Sequence, residues 1–272
     1  MGSTLFIVWR ESVEAMLVVG ILHSWLKFNT AGRDGMRALW LGVAGGIALA
    51  GVLGWSMVAA QDELSGTALD WFQTGMLLVA AALIVQMVLW MRRHGAAMRK
   101  NLHQDLASAL QRSGLIGIAG VAALAIAREG AETAVFLYGI SLEPGNTASL
   151  VSGAVLGFLL AALSAWGLGR GLRFLDYRRF FAISGWLLLL FAVALLVSAV
   201  DRLIGAGQLP ALLDPLWDSA WLLNDNGGAG SLLAGLAGYR ARPSLTLVLV
   251  YAAYWLLMLR AMGPARTAPT HG

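Results

Sequence analysis

The sequence predicts an all-α polytopic membrane protein with seven transmembrane helices. Of the 272 residues, 58% are hydrophobic and only 12% are charged, and the mean hydropathy is +0.72. Soluble domains contain about 25% charged residues. In addition, the apolar residues form seven segments that are long enough, at about 1.5 Å per helical residue, to cross a hydrocarbon core about 30 Å thick. Residues 1–262 are therefore predicted to form a single transmembrane domain.

The seven predicted helices follow one another through polar connections. They cover residues 4–26, 38–60, 72–91, 115–140, 148–169, 181–200 and 244–262. The first is predicted to be a retained helix and not a cleaved signal peptide, because no basic region precedes it and charged residues interrupt its apolar run. The two longest connections are 92–114, a basic loop with the composition of a short helix on the membrane surface, and 201–243.

The positive residues lie in alternate connections. Loops 26–37, 92–114 and 170–180, together with the end of the last helix and the tail 263–272, contain fourteen arginines and lysines, whereas the opposite loops contain three. Cytoplasmic loops carry the excess of positive residues in membrane proteins. The N-terminus is therefore predicted outside, with the loop 92–114 and the tail in the cytoplasm and the loop 201–243 outside. The same distribution, despite a net charge of +4, argues against a nucleic-acid partner.

An internal repeat relates the first three helices to the next three. The second and fifth predicted helices each have small residues at every fourth position, followed by tryptophan: Gly42, Gly46, Ala50, Gly54 and Trp55 in one, and Gly153, Gly157, Ala161, Ala165 and Trp166 in the other. Such rows are predicted to be helix-packing seams. A unit of three helices crosses the membrane an odd number of times, so the two units are predicted to be inverted repeats, with the seventh helix outside them.

The first and fourth predicted helices share the pattern Arg-Glu-x-x-Glu. It comprises Arg10, Glu11 and Glu14 in one copy and Arg128, Glu129 and Glu132 in the other. A charged side chain near the bilayer centre costs roughly 2.5–3.5 kcal/mol, which favours a functional site. In inverted repeats the two copies lie at matching depth, so the four carboxylates are predicted to face each other, with the arginines supporting them. The alternative is a buried ion pair that only joins helices.

Four carboxylates and two guanidinium groups favour a cation ligand. The chain has no cysteine, and its four histidines lie outside the motifs, so the ligands would be carboxylate oxygens, which suit iron and other hard or borderline ions. The alternatives are a permease for another cation, such as Mn²⁺ or Pb²⁺, and a membrane oxidoreductase with a di-metal carboxylate centre. An enzyme is not predicted, because neither motif has the histidine of the Glu-x-x-His pattern of di-iron bundles, and because no nucleotide-binding, zinc-protease or nucleophile motif is present. Acidic residues on the outer side, Asp62, Glu63 and Asp218, are candidates for the entrance.

The two motifs, in the first and fourth of seven helices, resemble those of the oxidase-dependent iron permease family. This family includes the fungal high-affinity iron permeases and the bacterial Efe-type ferrous iron permeases, and the stretch 215–223 is similar to a segment before the last helix of the bacterial members. The resemblance implies a multi-pass protein of the bacterial inner membrane that imports Fe²⁺ or Fe³⁺ as a substrate, with no permanently bound cofactor. It also implies that Glu11, Glu14, Glu129 and Glu132 are the iron ligands and Arg10 and Arg128 their supports. The implied partners, besides iron ions and the lipid bilayer, are periplasmic iron-binding or oxidase and peroxidase proteins.

Overall fold

All the regular structure in the described part of the chain is α-helical. The computed structural model describes residues 2–28, 32–94, 98–142, 147–169, 177–225 and 227–263. The helices are α1 (Gly2–Phe28), α2 (Gly32–Glu63), α3 (Gly66–His94), α4 (Met98–Ser141), α5 (Thr147–Gly169), α6 (Tyr177–Gly205), α7 (Gly228–Ala237) and α8 (Leu245–Met262). The predicted tail, apart from Gly263, and most of the predicted loop 170–180 lie outside the described residues.

Six helices are long and apolar enough to cross a membrane. These segments are Arg33–Glu63, Gly66–Arg92, Leu110–Ser141, Thr147–Gly167, Ala182–Gly205 and Leu245–Met262. Helix α1, with 27 residues, is long enough to cross a membrane, but it contains too many charged residues to be counted among the apolar spans. Every 18-residue window of α1 contains Glu11 and Glu14 together with Arg10 or Lys27. The prediction of an all-helical polytopic protein is therefore confirmed, and α1 differs from the other long helices through the motif that it carries.

Two of the predicted loops contain helix. The segment 98–113 is the first part of α4, and a non-helical residue, Gly114 (φ 59°, ψ −134°), joins it to the apolar part. This backbone conformation is open to glycine, which lacks a Cβ atom. Within the predicted loop 201–243, the structure contains α7, and the residue that caps its C-terminus, Gly238, has the left-handed conformation. The backbone of this region is also bonded to itself, for example from Ser219 N to Ala241 O over 2.9 Å.

Helix α1 lies in the interior of the bundle. It packs most extensively against α5 and α4, with further contacts to α2, α7 and α6, while α2 packs against α4 and α3 against α6. Helices α2 and α5 expose large apolar side chains on their outer surfaces, Leu41, Ile47 and Val52 on α2 and Val155, Phe158 and Leu163 on α5. Those surfaces have the character of lipid-facing helix.

The close approach of the helices depends on glycines in the two small-residue rows. A Cβ atom at Gly46 of α2 would lie 2.7 Å from the Ala123 carbonyl oxygen on α4. A Cβ atom at Gly157 of α5 would lie 2.5 Å from the Leu5 carbonyl oxygen on α1. Real Cβ atoms do not approach backbone so closely, so both positions require glycine. The prediction that these rows are packing seams is confirmed at these two positions.

Candidate cation-binding site between α1 and α4

The three charged residues of the α1 motif are buried in the interior of the bundle. Only 1% of Arg10, 1% of Glu11 and 4% of Glu14 is exposed. Residues three and four apart share one face of a helix, so Arg10 and Glu14 are placed side by side by the local structure alone. Taking charges out of water is costly unless they are paired, and the three residues are therefore expected to contact one another.

The guanidinium group of Arg10 joins the two carboxylates of its own helix. Its Nη1 donates to Glu11 Oε1 over 2.7 Å, and its Nη2 forms an ion pair with Glu14 Oε1 at 2.6 Å. The same two nitrogens also donate to methionine sulfurs of α3, Nη1 to Met87 Sδ and Nη2 to Met91 Sδ. Sequence reasoning did not identify these methionines, because nothing in the sequence of α3 indicates which residues of α1 it contacts.

Three of the four predicted ligands converge. Glu11, Glu14 and Glu129 each contribute one carboxylate oxygen, and these three atoms lie within 4.8 Å of one another. One cation can bridge oxygens at this spacing. Glu129 reaches them from α4 and is partly buried. The second oxygen of Glu11, Oε2, is buried and accepts no hydrogen bond from the described residues. A buried carboxylate oxygen without a donor is destabilising by itself and is satisfied by a cation.

The fourth predicted ligand, Glu132, pairs with the arginine of its own motif. Arg128 Nε donates to Glu132 Oε1 over 3.0 Å, while Glu132 Oε2 is buried without a hydrogen-bond partner among the described residues. The Arg128 side chain is 51% exposed, and its guanidinium carbon lies 5.1 Å from the centre of the Trp90 ring of α3. Glu132 is thus outside the convergent group of three.

The two arginines, which are equivalent in the repeated motif, differ in their surroundings. Arg10 is enclosed by carboxylates and sulfurs, whereas Arg128 is half exposed and rests on an aromatic ring. A guanidinium on a ring face is held by a weak attraction, about 0.5–1 kcal/mol at exposed sites. The Arg128 side chain is therefore the less constrained of the two, and its neighbour Glu132 is the carboxylate that can most readily change its partner.

The candidates for the entrance lie outside the convergent group. Asp62 and Glu63 are exposed at the end of α2, next to Gln61, which accepts a hydrogen bond from Tyr138 over 2.6 Å. Asp218 accepts a hydrogen bond from Ala220 N over 2.9 Å and forms an ion pair with Arg242 over 2.9 Å. The Ala220 N–H, assisted by Arg242, holds the pKa of the Asp218 carboxyl below its usual value. In the structure this carboxylate therefore organises its own loop.

Replacement of Asp218 by asparagine is expected to loosen that loop. Because the pKa of Asp218 is lowered by folding, its contribution is present above the pKa of the unfolded chain and is lost as the pH falls through the folded-state pKa. At neutral pH, Asp218→Asn should lower the protection of residues 216–223 against amide hydrogen exchange. Acidification should lower the protection factors of the wild type in the same way, when its exchange rates are compared with the intrinsic rates at each pH. Asp34→Asn, which breaks an exposed pair with Arg37 elsewhere, is the control. Equal exchange in the wild type and the Asp218 variant would contradict this role.

Comparison with known proteins supplies a family and a set of relatives. The model of the iron permease FTR1 family matches residues 1–268. The chain is 31% identical over 274 residues to the ferrous iron permease EfeU of Shigella sonnei (strain Ss046) and to that of Escherichia coli O157:H7, covering 97% of this chain and 96% of each relative. It is 29% identical over 266 residues to the EfeU protein of Yersinia pestis, covering 96% of this chain and 94% of the relative. No solved structure matches the chain.

Proposed function

Because this chain belongs to the iron permease FTR1 family and is a multi-pass protein of the bacterial inner membrane, we propose that it imports iron through the carboxylate site between α1 and α4. The observation that carries the proposal is the convergence of Glu11, Glu14 and Glu129 in an otherwise apolar interior. The relatives are named ferrous iron permeases, and we extend that substrate, Fe²⁺, to this chain.

The charges of the site suit a divalent ion. With the four glutamates of the two motifs ionised and both arginines charged, the site has a net charge of −2, which one Fe²⁺ neutralises. The arginines keep the carboxylates paired when no metal is bound, and they weaken metal binding enough for release. A permease needs such a balance, because conduction requires that the ion can leave as well as enter.

Glu132 completes the site when Arg128 turns away from it. Its buried Oε2 atom, which has no hydrogen-bond partner among the described residues, supports this step. When the half-exposed Arg128 side chain swings about Trp90, it leaves one carboxylate, Glu132, for the ion to neutralise, whereas displacement of Arg10 uncovers two, Glu11 and Glu14, unless an ion takes its place. We therefore propose that a bound ion is passed between the three convergent carboxylates and Glu132.

The inverted repeat, with α1 as a seventh spanning helix, is supported by a pair of equivalent contacts. Gly46 lies against the backbone of Ala123 and Ala127, and Gly157 lies against the backbone of Leu5 and Trp9. In the predicted repeat, Gly157 of α5 corresponds to Gly46 of α2. The repeat of the motifs likewise relates Leu5 to Ala123 and Trp9 to Ala127. The same seam thus occurs twice, as expected for two related halves. The distribution of positive residues supports an outer N-terminus and a cytoplasmic C-terminus.

The driving force in this proposal is the membrane potential. No nucleotide-binding motif occurs in the sequence. A potential of 100 mV supplies about 2.3 kcal/mol per charge, and thus about twice that for Fe²⁺. Neither alternative from the sequence gains support, since the relatives are named iron permeases and the convergent group consists of glutamates alone. A periplasmic partner protein stays a prediction from the family resemblance.

The proposal is tested by uptake of ⁵⁵Fe into proteoliposomes that contain this chain alone. We expect the wild type to take up Fe²⁺, held reduced under anaerobic conditions, and to do so faster when an inside-negative potential is imposed. Empty liposomes and ferric iron supplied as a soluble chelate are the controls. Absence of Fe²⁺ uptake by folded protein, at any potential, would show that this chain alone is not the permease.

A further inference from the structure

The Arg10 guanidinium lies where oxygen and sulfur donors meet. Each of its terminal nitrogens contacts one carboxylate oxygen and one thioether sulfur: Nη1 contacts Glu11 Oε1 at 2.7 Å and Met87 Sδ at 2.7 Å, and Nη2 contacts Glu14 Oε1 at 2.6 Å and Met91 Sδ at 3.6 Å. The two methionines lie four residues apart on one face of α3, which brings both sulfurs to the same side of the bundle. The cation in this position therefore has a mixed donor set.

We propose that Met87 and Met91 are sulfur ligands of the transported ion and determine its selectivity, with Arg10 acting as a built-in cation that occupies the site between passages. This inference rests on the proposed function and deepens it. A metal ion that displaces the guanidinium meets the same four donors, and Glu129 adds a third carboxylate from α4. The Arg-Glu-x-x-Glu pattern includes no residue of α3.

The way in which Arg10 is held permits its displacement. Among the described residues, its hydrogen bonds and ion pairs are made through the two terminal nitrogens, and Nε is buried without a hydrogen-bond partner. An ion that neutralises the carboxylates removes the attraction that holds the terminal nitrogens, and no bond at Nε retains the group. Met87 is 3% exposed, so the exchange takes place away from bulk water, where cation and guanidinium compete for the same charge.

The chemistry of the sulfur atoms selects among cations. Carboxylate oxygens suit hard ions such as Mg²⁺, Ca²⁺, Mn²⁺ and Fe³⁺, and a site made of them alone discriminates weakly between Mn²⁺ and Fe²⁺. Thioethers are soft ligands, which bind Fe²⁺ better than these harder ions. The three carboxylates thus attract divalent cations through their charge, and the two thioethers favour binding of Fe²⁺ over the harder Mn²⁺. A site built in this way matches a permease for the reduced ion.

The double variant Met87→Leu/Met91→Leu tests this role in proteoliposomes supplied with Fe²⁺ or Mn²⁺. Leucine for methionine is close to volume-conserving and is usually tolerated in a core. We expect the ratio of Fe²⁺ to Mn²⁺ uptake to fall about tenfold or more, with Mn²⁺ uptake kept or increased. Met258→Leu, which replaces another buried methionine on α8, should leave the ratio unchanged. If the methionines only hold Arg10, both uptake rates change by the same factor and the ratio stays constant, which overturns the proposal.

A second measurement separates this inference from the proposed function. Selenomethionine-labelled protein in detergent, incubated with Fe²⁺, is examined at the selenium absorption edge. An iron neighbour to selenium that is present in the wild type and absent from the double variant supports the sulfur ligands, even if the wild type were to transport nothing. Iron bound by the wild type without a selenium neighbour, or no bound iron, overturns them, even if uptake is observed.

Discussion

The Glu129→Gln variant is expected to lose iron uptake while it keeps its fold. The substitution preserves the shape of the side chain but removes one of the three carboxylates whose oxygens lie within 4.8 Å of one another. An amide oxygen is a weaker ligand for a cation than a carboxylate, and the net charge of the site rises by one. Mutation of the groups that support metal ligands already lowers metal affinity or activity about 10–100-fold. Uptake by a variant that lacks a ligand itself should therefore fall by about a hundredfold or more.

Glu129 is the best of the four glutamates for this test. Among the described residues, no ion pair joins it to an arginine, whereas Glu11 and Glu14 are both paired with Arg10 and Glu132 with Arg128. Removing one partner of a buried pair costs about 3–5 kcal/mol, because the other charge is left unpaired. Substitution of Glu129 leaves those pairs in place, so a change in uptake reports on the ion and not on the fold.

The measurement compares ⁵⁵Fe²⁺ uptake, expression level and thermal stability for the wild type, Glu129→Gln and Asp34→Asn. The last variant also replaces a carboxylate by an amide, but in an exposed pair far from the motifs in the sequence. Normal uptake by folded Glu129→Gln protein would exclude this residue as a ligand. A misfolded Glu129→Gln protein would instead indicate that the motif joins the helices structurally, which is the alternative that the sequence leaves open.

Hydropathy predicts the long helices well because burial in lipid imposes a simple rule of length and composition. The apolar segments predicted at 72–91 and 148–169 lie within α3 and α5. The same rule fails for α1, where Arg10, Glu11 and Glu14 remove it from the set of apolar spans. A seventh spanning helix at α1 therefore stays a prediction from the sequence, supported by its apolar residues and by its copy of the motif. The residues that make α1 unusual are also the ones that give it a candidate function.

Two elements were not predictable from periodicity. The segment before Gly114 is polar, and the sequence predicts a loop with the composition of a short surface helix. In the structure the chain is helical from Met98 onwards. Helix α7, Gly228–Ala237, contains several glycines, which are poor helix formers. Its buried residues are Gly230 and Ala234, and it contacts α6 and α1. Tertiary packing therefore stabilises α7 against its own propensity.

The sequence shows which residues of each motif share one face of their helix, but not which residues of the other helices contact that face. Spacing within α1 places Arg10 beside Glu14, and the repeat relates Glu129 to Glu11. The contacts with Met87 and Met91, and the stacking of Arg128 on Trp90, join residues from helices that are distant in sequence. The glycine seams bring α2 against α4 and α5 against α1, and α3 packs on α6. Those interhelix contacts can be measured only in the folded protein.

The seam between α2 and α4 is expected to tolerate no side chain at Gly46. In the Gly46→Ala variant the new methyl group would lie 2.7 Å from Ala123 O and 2.8 Å from Ile126 Cβ, so the helices must separate. Overpacking of a core costs about 1–3 kcal/mol, and backbone in contact on both sides leaves little room to relax. We expect a fall in thermal stability large enough to reduce the yield of folded protein. Gly157→Ala, at the α1–α5 seam, should behave in the same way.

The matched control is the neighbouring residue. A methyl group at Gly45 would lie 4.0 Å from Ala123 Cβ, which is ordinary contact, and one at Gly51 would meet nothing within 4 Å. Alanine is a better helix former than glycine by about 1 kcal/mol, so Gly45→Ala and Gly51→Ala should be neutral or slightly stabilising. Thermal denaturation in detergent, followed by size-exclusion chromatography, distinguishes the variants. Equal stability at positions 45 and 46 would mean that the helices do not meet at this seam, and the orientation of α4 that brings Glu129 to α1 would then be wrong.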